Sequence, residues 1–311
     1  MLPKEKVAVI LGPTATGKSH CAIALAKKFG GEIISGDSML VYRQMDIGTA
    51  KPSKEELETV PHHLVNILPP DGEYSVADFQ QQASQLIRDI TGRGRLPILA
   101  GGTGLYIKAL LEDYRFSGVD GNPELRRELE AFAETRGAEA LHERLQKQDP
   151  AAAARLHPND VRRVVRALES ALSGETVSLE KMDELKYDAL VFGLSMERDF
   201  LYQRINQRVD RMLSDGLEEE VRCLLQAGVP TGCLSMKSLG YRQMAEYLAG
   251  KCDYETAVDN IKKGTRHFAK RQITWYKKMP YVQWYTVDRD LNYEKIVSDM
   301  AVALEKKWKR L

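Results

Sequence analysis

No stretch of this chain approaches the ~20 consecutive apolar residues that a membrane-spanning helix needs. The opening MLPKEKVAVILGPT has too short an apolar core before Gly12-Pro13 to be expected as a secretory signal. Cysteine is scarce. Cys21, Cys223, Cys233 and Cys252 are scattered without a C-x-x-C pair, so reduced thiols in a cytoplasmic protein are expected. The histidines include the pair His62-His63, but no Cys or Asp stands at zinc-ligand spacing, and a structural role is expected for the pair. Neither sign of charge is in excess: 45 Lys and Arg against 44 Asp and Glu leave +1. That total neither demands nor excludes nucleic acid, which reads clustered charge. Internal repeats and low-complexity segments are absent. At 43% hydrophobic and 29% charged over 311 residues, the chain suits one large soluble domain or two modest ones.

What is present begins with alternation. KVAVIL reads as a buried strand and KSHCAIALAKKF as a helix that stops at Gly30-Gly31. EIISGDS and LPILAGGT are further strands, the latter preceded by the helical DFQQQASQLIRDI. Fully apolar strands alternating with helices predict an α/β fold, a parallel sheet flanked by helices with ligands at the carboxyl ends of its strands. From about Arg115 to Lys186 strand-like runs vanish and helical segments follow one another, the last capped by Asn159 and stopped at Gly174. The expected organisation is a core over 1–114, an all-helical insertion over 115–186, and completion of the core over 187–311. There DALVFGLSM and PYVQWYTVD are strands, a long basic helix runs from Tyr254 to about Lys278, and the terminal helix serves packing.

The segment GPTATGKS, Gly12-Pro13-Thr14-Ala15-Thr16-Gly17-Lys18-Ser19, fits G-x-x-x-x-G-K-[ST] between a strand and a helix. Such a loop turns backbone N–H groups onto phosphate oxygens at the positive end of a helix, with Lys18 on the terminal phosphates and Ser19 on Mg²⁺. By motif it is a nucleotide-binding, ATP-type loop. A nucleoside-triphosphate enzyme normally adds an acid at the end of another strand, yet LPILA ends in Gly101-Gly102-Thr103. The one carboxylate at a comparable strand end is Asp37, which suits a Mg²⁺ ligand, a base facing a second substrate, or a turn cap. From these residues alone the loop specifies a polyphosphate or pyrophosphate, not its owner.

GPTATGKS, then DSMLVYRQMDIGTAKP (Asp37 to Pro52) and AGGTGLYIKALL (Ala100 to Leu111), together resemble the tRNA dimethylallyltransferases, also called tRNA isopentenyltransferases, of bacterial type. NDVRRVVRALE, RVDRML, SLGYRQ and RQITWYKK carry the resemblance nearly end to end. The family's C-terminal zinc finger, present in some members, is not seen. The resemblance implies transfer of the dimethylallyl group from dimethylallyl pyrophosphate to N6 of the adenosine 3′-adjacent to the anticodon in tRNA, releasing pyrophosphate. The phosphate loop, Mg²⁺ and Arg208 would then hold the donor's pyrophosphate, which accounts for the missing second acid. Asp37 is carried over as the base for the incoming amine and Thr103 as a neighbouring hydroxyl that orients it. For the tRNA anticodon stem-loop the resemblance implies contacts from Asp37, Ser38, Met39, Leu40 and Thr103. In the insertion it implies Arg126 and the run Val161, Arg162, Arg163, Val164, Val165 and Arg166, and beyond it Arg242 and Gln243. The stretch Lys262, Lys263, Arg266, His267, Lys270 and Arg271 is a further candidate. No membrane partner is implied, and a monomer is expected. Two other classes share the frame, a small-molecule or nucleotide kinase and an RNA-binding module without prenyl chemistry.

Overall fold

The structure, a computed structural model, describes residues 3–114, 122–173 and 184–308. It divides into two compact units, Met1–Asp113 with Asp183–Leu311, and Tyr114–Met182. In chain order the first unit opens with β1 (Lys6–Leu11), α1 (Lys18–Phe29), β2 (Glu32–Ser35), α2 (Lys54–Thr59), β3 (His62–His63), α3 (Val76–Gly92), β4 (Pro97–Gly101) and α4 (Gly104–Leu111). The second unit follows, with α5 (Pro123–Arg136), α6 (Ala138–Gln148), α7 (Pro150–Ala153) and α8 (Val161–Leu172). The first unit then resumes with β5 (Asp188–Ser195), α9 (Arg198–Ser214), α10 (Leu217–Gln226), α11 (Tyr241–Leu248), α12 (Tyr254–Tyr276), β6 (Val282–Thr286) and α13 (Tyr293–Lys307).

The strands form one parallel sheet in the order β3-β2-β4-β1-β5-β6. Strand β1 is central and its residues from Val7 to Leu11 are fully buried, as a continuous apolar run covered on both faces must be. Its side chains alternate between two cores. Val7, Val9 and Leu11 pack with α3, α4 and α10–α12, whereas Ala8 and Ile10 pack with α1 and α13. The register sets the site: Leu11 lies opposite Gly101, and Ser35 opposite Ala100. The loops after β1, β2 and β4 therefore leave the sheet side by side at its carboxyl edge.

The His62-His63 pair forms β3, a two-residue edge strand that no apolar run announced. His63 Nε2 lies 2.6 Å from Glu32 Oε2, and Arg93 and Arg95 reach the same carboxylate. The charges partner the buried Glu32, whose carboxyl is held below its usual range by Arg93 and His63 against the opposing effect of burial.

A second carboxylate organises the MDIGTAKP segment. Glu220 on α10 accepts the amides of Asp46 (2.8 Å), Ile47 (2.8 Å) and Gly48 (3.1 Å) and the Tyr241 hydroxyl (2.5 Å). Glu220→Ala strips three amides and a buried phenol of their acceptor, so a loss of about 2 kcal/mol is expected. A urea unfolding midpoint equal to the parent's would show that the segment holds its own shape.

The helical unit corrects several expectations. Helix α8 is preceded by Asp160 rather than capped by Asn159, and Gly174 lies outside the described residues. Val164 and Val165 are 0% and 2% exposed, packed with Leu129, Leu141, Leu145 and Leu168. Helical periodicity turns the middle of the expected RNA-facing run into the core, so the side chains available to a partner on that helix are the arginines.

Candidate functional site

The loop after β1 needs backbone conformations that its residues specify. Gly17 caps α1 at φ 90°, in the left-handed region, and the Tyr293 ring packs where its Cβ would stand. Helix α13 was expected only to pack against the sheet; through Tyr293, which also lies against His20, it closes one side of the phosphate loop. Ala15 is left-handed without being glycine, at φ 66°. Its carbonyl accepts a hydrogen bond from Arg204 Nε of α9 at 3.0 Å, a tie that holds this less favourable conformation. Thr16 Oγ1 and Lys18 Nζ both donate to the Pro13 carbonyl, at 2.8 and 2.9 Å.

Asp37 follows β2. Its Oδ1 accepts the Met39 amide at 2.9 Å, which closes a turn and fixes the carboxylate plane. Its Oδ2 faces Gly102 and Lys18: a Cβ placed on Gly102 would stand 3.6 Å from this oxygen and 3.9 Å from Lys18 Nζ. Thr103, at the start of α4, accepts the Ser38 amide at 3.0 Å and lies 3.3 Å from the Ser38 hydroxyl. Thr103 thus holds the turn that carries Asp37. The neighbouring Gly101 admits no side chain, since a Cβ would meet the Gly36 carbonyl at 2.3 Å. This close approach explains the first glycine of AGGTG, and a Cβ on the second, Gly102, would meet Gln272 Nε2 at 2.7 Å.

The third wall is α9. Burial lowers the pKa of Arg208, against the opposing pull of the Asp37 charge and with a further lowering from Arg204. Lys18 keeps some exposed surface, yet its ammonium is packed round by protein. Desolvation and then Arg208 bring its pKa down to about 8, against the opposing pull of Asp37. Two partly buried cations with Arg204 behind them, facing among the described residues the carboxylate of Asp37, make a site with an excess of positive charge. Such a site favours a multiply charged anion. Arg204 was missed at the sequence level; its spacing of four residues from Arg208 on one helix was the available signal.

From α12 come two more residues that sequence reasoning passed over. Gln272 Oε1 accepts the Thr14 amide at 3.0 Å, and its Nε2 donates to the Gly102 carbonyl at 2.8 Å. The Tyr276 hydroxyl donates to the same carbonyl at 2.6 Å. The Thr14 amide, expected to face phosphate, is therefore taken by protein.

The remaining candidates separate by surface. Met39 and Leu40 are partly exposed beside Asp37, and Arg242 is exposed on α11. Gln243 is 3% exposed and returns to cap the Gly240 amide at 3.1 Å, which removes its side chain from the candidate RNA surface. On α12, Lys262 is paired with Asp210 and Arg266 with Asn206 of α9, so these two brace the fold. His267, Lys270, Arg271, Thr274, Trp275 and Lys278 instead line an outward groove of about 500 Å³. Within the helical unit Arg126 is bound to Glu169 at 2.8 Å and Arg163 to Asp160 at 3.3 Å, while Arg166 lies 3.7 Å from Glu169. Arg162 is exposed and Val161 partly so.

The chain has extensive likenesses among known proteins. The pattern of the family described as IPP transferase matches residues 40–279. A tRNA dimethylallyltransferase of Thermoanaerobacter sp. (strain X514) is 46% identical over 298 residues, 94% of this chain and 95% of the relative. One from Geobacillus thermodenitrificans is 49% identical over 90% of each chain. The crystal structure of a full-length tRNA isopentenylpyrophosphate transferase from Bacillus halodurans is similar at a TM-score of 0.74 and 46% identity, covering 98% of this chain and 99% of that one. A eukaryotic dimethylallyltransferase acting on tRNA reaches a TM-score of 0.84 at 31% identity, covering 98% of this chain and 79% of its own. With the phosphate loop, the Asp37 turn and the cations of α9 gathered at one sheet edge, and with relatives this similar along nearly its whole length, the chain belongs to the tRNA dimethylallyltransferase family.

Proposed function

We infer that this chain transfers the dimethylallyl group of dimethylallyl pyrophosphate to N6 of the adenosine 3′-adjacent to the anticodon in tRNA, with release of pyrophosphate. The observation that carries the chemistry is the meeting of Lys18 and Arg208 with Asp37 at the carboxyl edge of the sheet. Cations on one side suit a pyrophosphate leaving group, and a carboxylate on the other suits an incoming amine.

The bond that breaks joins the allylic carbon to a pyrophosphate oxygen, and its electron pair leaves with that oxygen. The amides from Ala15 to Ser19, Lys18 and Arg208 take up the charge as it develops, in a site already organised to receive it. The N6 lone pair, delocalised into the adenine ring, forms the new bond to carbon. Asp37 accepts the proton that this nitrogen sheds, its Oδ2 being the oxygen left open once Oδ1 is committed to Met39. Thr103 acts through Ser38, fixing the turn so that the carboxylate meets the amine. The adenosine reaches this edge only when turned out of the stacked anticodon loop. Met39 and Leu40 are positioned beside Asp37 to line its pocket.

The Ser19 hydroxyl is exposed at the first turn of α1, and among the described residues no group of three His, Cys, Asp or Glu could hold a metal. One hydroxyl without a carboxylate cage fits Mg²⁺, which keeps its waters and binds largely through phosphate oxygens. Ser19 would hold that ion, which supplies charge neutralisation to the departing pyrophosphate. Among the described residues no helix is long and apolar enough to cross a membrane. We expect a monomer working in the cytoplasm.

The test is mass spectrometry of unmodified tRNA incubated with the protein, Mg²⁺ and labelled dimethylallyl pyrophosphate, beside labelled ATP. A mass gain on the anticodon-adjacent adenosine from the prenyl donor alone is expected. Label from ATP, or from neither donor, overturns the reading. Tight tRNA binding then follows from backbone contacts as well as the flipped base. Changing Arg162 and Arg163 together to alanine should weaken tRNA affinity and make the slope of log affinity against log salt shallower by roughly 1–2. An unaltered slope would return both arginines to the solvated face of α8.

A further inference from the structure

We propose that Gln272 is a positioning residue that sets the register between the donor side and the acceptor side of the site; the inference rests on the prenyl-transfer reading above. The two halves come from different parts of the sheet. The phosphate loop follows β1 and determines where the allylic carbon lies. The turns after β2 and β4 carry Asp37, Ser38 and Thr103 and determine where the amine is deprotonated.

Within this group of residues, Gln272 hydrogen-bonds to both halves. It receives the Thr14 amide of the phosphate loop at 3.0 Å and donates to Gly102, the residue before Thr103, at 2.8 Å. It is 5% exposed, and Tyr276 one turn later adds a second donor to the Gly102 carbonyl at 2.6 Å. Both ends of the amide are thus tied to backbone atoms, one in each half of the site. A side chain so buried and tied at both ends to backbone is a strut. Its place is tight: a Cβ on Gly102 would meet Gln272 Nε2 at 2.7 Å, with Asp37 Oδ2 at 3.6 Å and Lys18 Nζ at 3.9 Å.

Chemistry requires an amide here. The Thr14 contact needs an acceptor and the Gly102 contact a donor, and Gln carries one of each at fixed separation. A carboxylate would lose the donor and set a negative oxygen against the Gly102 carbonyl. A protonated carboxyl restores both bonds. Displacement of one half relative to the other by a fraction of an ångström lengthens the path between carbon and amine while leaving each substrate's own contacts intact. Such misplacement lowers the rate of transfer more than it lowers affinity.

The experiment compares wild type, Gln272→Met and Gln272→Glu in single-turnover transfer from dimethylallyl pyrophosphate to unmodified tRNA, with donor and tRNA affinities measured in parallel. Gln272→Met should lower the transfer rate by ~10–100-fold, with donor KM and tRNA Kd each within about twofold of wild type. For Gln272→Glu, the ratio of its rate to that of wild type should rise as pH falls toward the carboxyl range, because protonation rebuilds the missing donor. A rate equal to wild type in Gln272→Met overturns the proposal, as does a raised donor KM with the rate kept. A ratio for Gln272→Glu that does not change with pH overturns it independently, even if Gln272→Met fails to fold. Absence of transfer by wild type itself would instead overturn the underlying reaction.

Discussion

Replacing Asp37 with asparagine is expected to slow prenyl transfer by ~10²–10⁴-fold, the range that a positioned general base contributes. Asparagine is the informative change because its side-chain oxygen still accepts the Met39 amide, which Asp37 Oδ1 does at 2.9 Å. The turn, Ser38 and the Thr103 contact are then preserved, and only the capacity to take a proton is lost. Donor affinity should not fall, because Asp37 is the negative charge that, among the described residues, faces Lys18 and Arg208. Removing it leaves the cations with less opposition as they attract pyrophosphate. Affinity for tRNA should also be kept, since one polar contact among many phosphate contacts changes little. Single-turnover rates with saturating donor, set beside tRNA and donor binding, give the answer. A variant that binds tRNA poorly but turns over normally would take Asp37 out of the base role and make it a contact for the adenine.

The distribution of what was legible has physical causes. Strands β1, β4 and β5 are largely buried and carry the apolar runs VAVIL, PILA and ALVF, and β2 carries the shorter Ile33-Ile34, which is why the sheet and its carboxyl edge could be read directly. Asp37 and the GGT turn stand at strand ends, where polar residues interrupt such runs and attract notice. β3 escaped because an edge strand of two histidines has no apolar signature. Gln272 and Tyr276 escaped for a different reason. They sit on the buried side of α12, in a stretch whose neighbours are Lys270, Arg271, Lys277 and Lys278, and charge density masks a buried polar face. Contiguity misled in the opposite direction at Val161 to Arg166. A run of six residues covers more than a full helical turn, so Val164 and Val165 had to face inward. Glutamine at 243 looked like a surface neighbour of Arg242, yet adjacent helical residues point about 100° apart. Pattern locates the elements and the loops at their ends. Which side chain bridges two loops depends on contacts between segments separated by hundreds of residues, such as the 258 between Thr14 and Gln272.

Lys18→Met should lower the transfer rate by ~10²–10³-fold, the cost of removing one fixed donor from a developing anion. Methionine keeps the stem and its packing while deleting the ammonium. The pH behaviour of the wild type supplies the companion result. Desolvation and Arg208 bring Lys18 to about 8 rather than the ordinary 10.5, so the free protein sheds this proton as pH rises through about 8. The proton favours pyrophosphate, so donor KM should climb above that pH while the rate at saturating donor holds, because a bound anion restores the charge. For folding the sign is opposite. A lysine whose pKa is lower folded than unfolded costs stability below about 8, and that cost fades as pH rises toward 10.5. In Lys18→Met the climb in donor KM near that pH should disappear, since the titrating group is gone. A climb of the same size in the variant would assign it to another group and leave Lys18 as a structural tie to the Pro13 carbonyl, which it reaches at 2.9 Å.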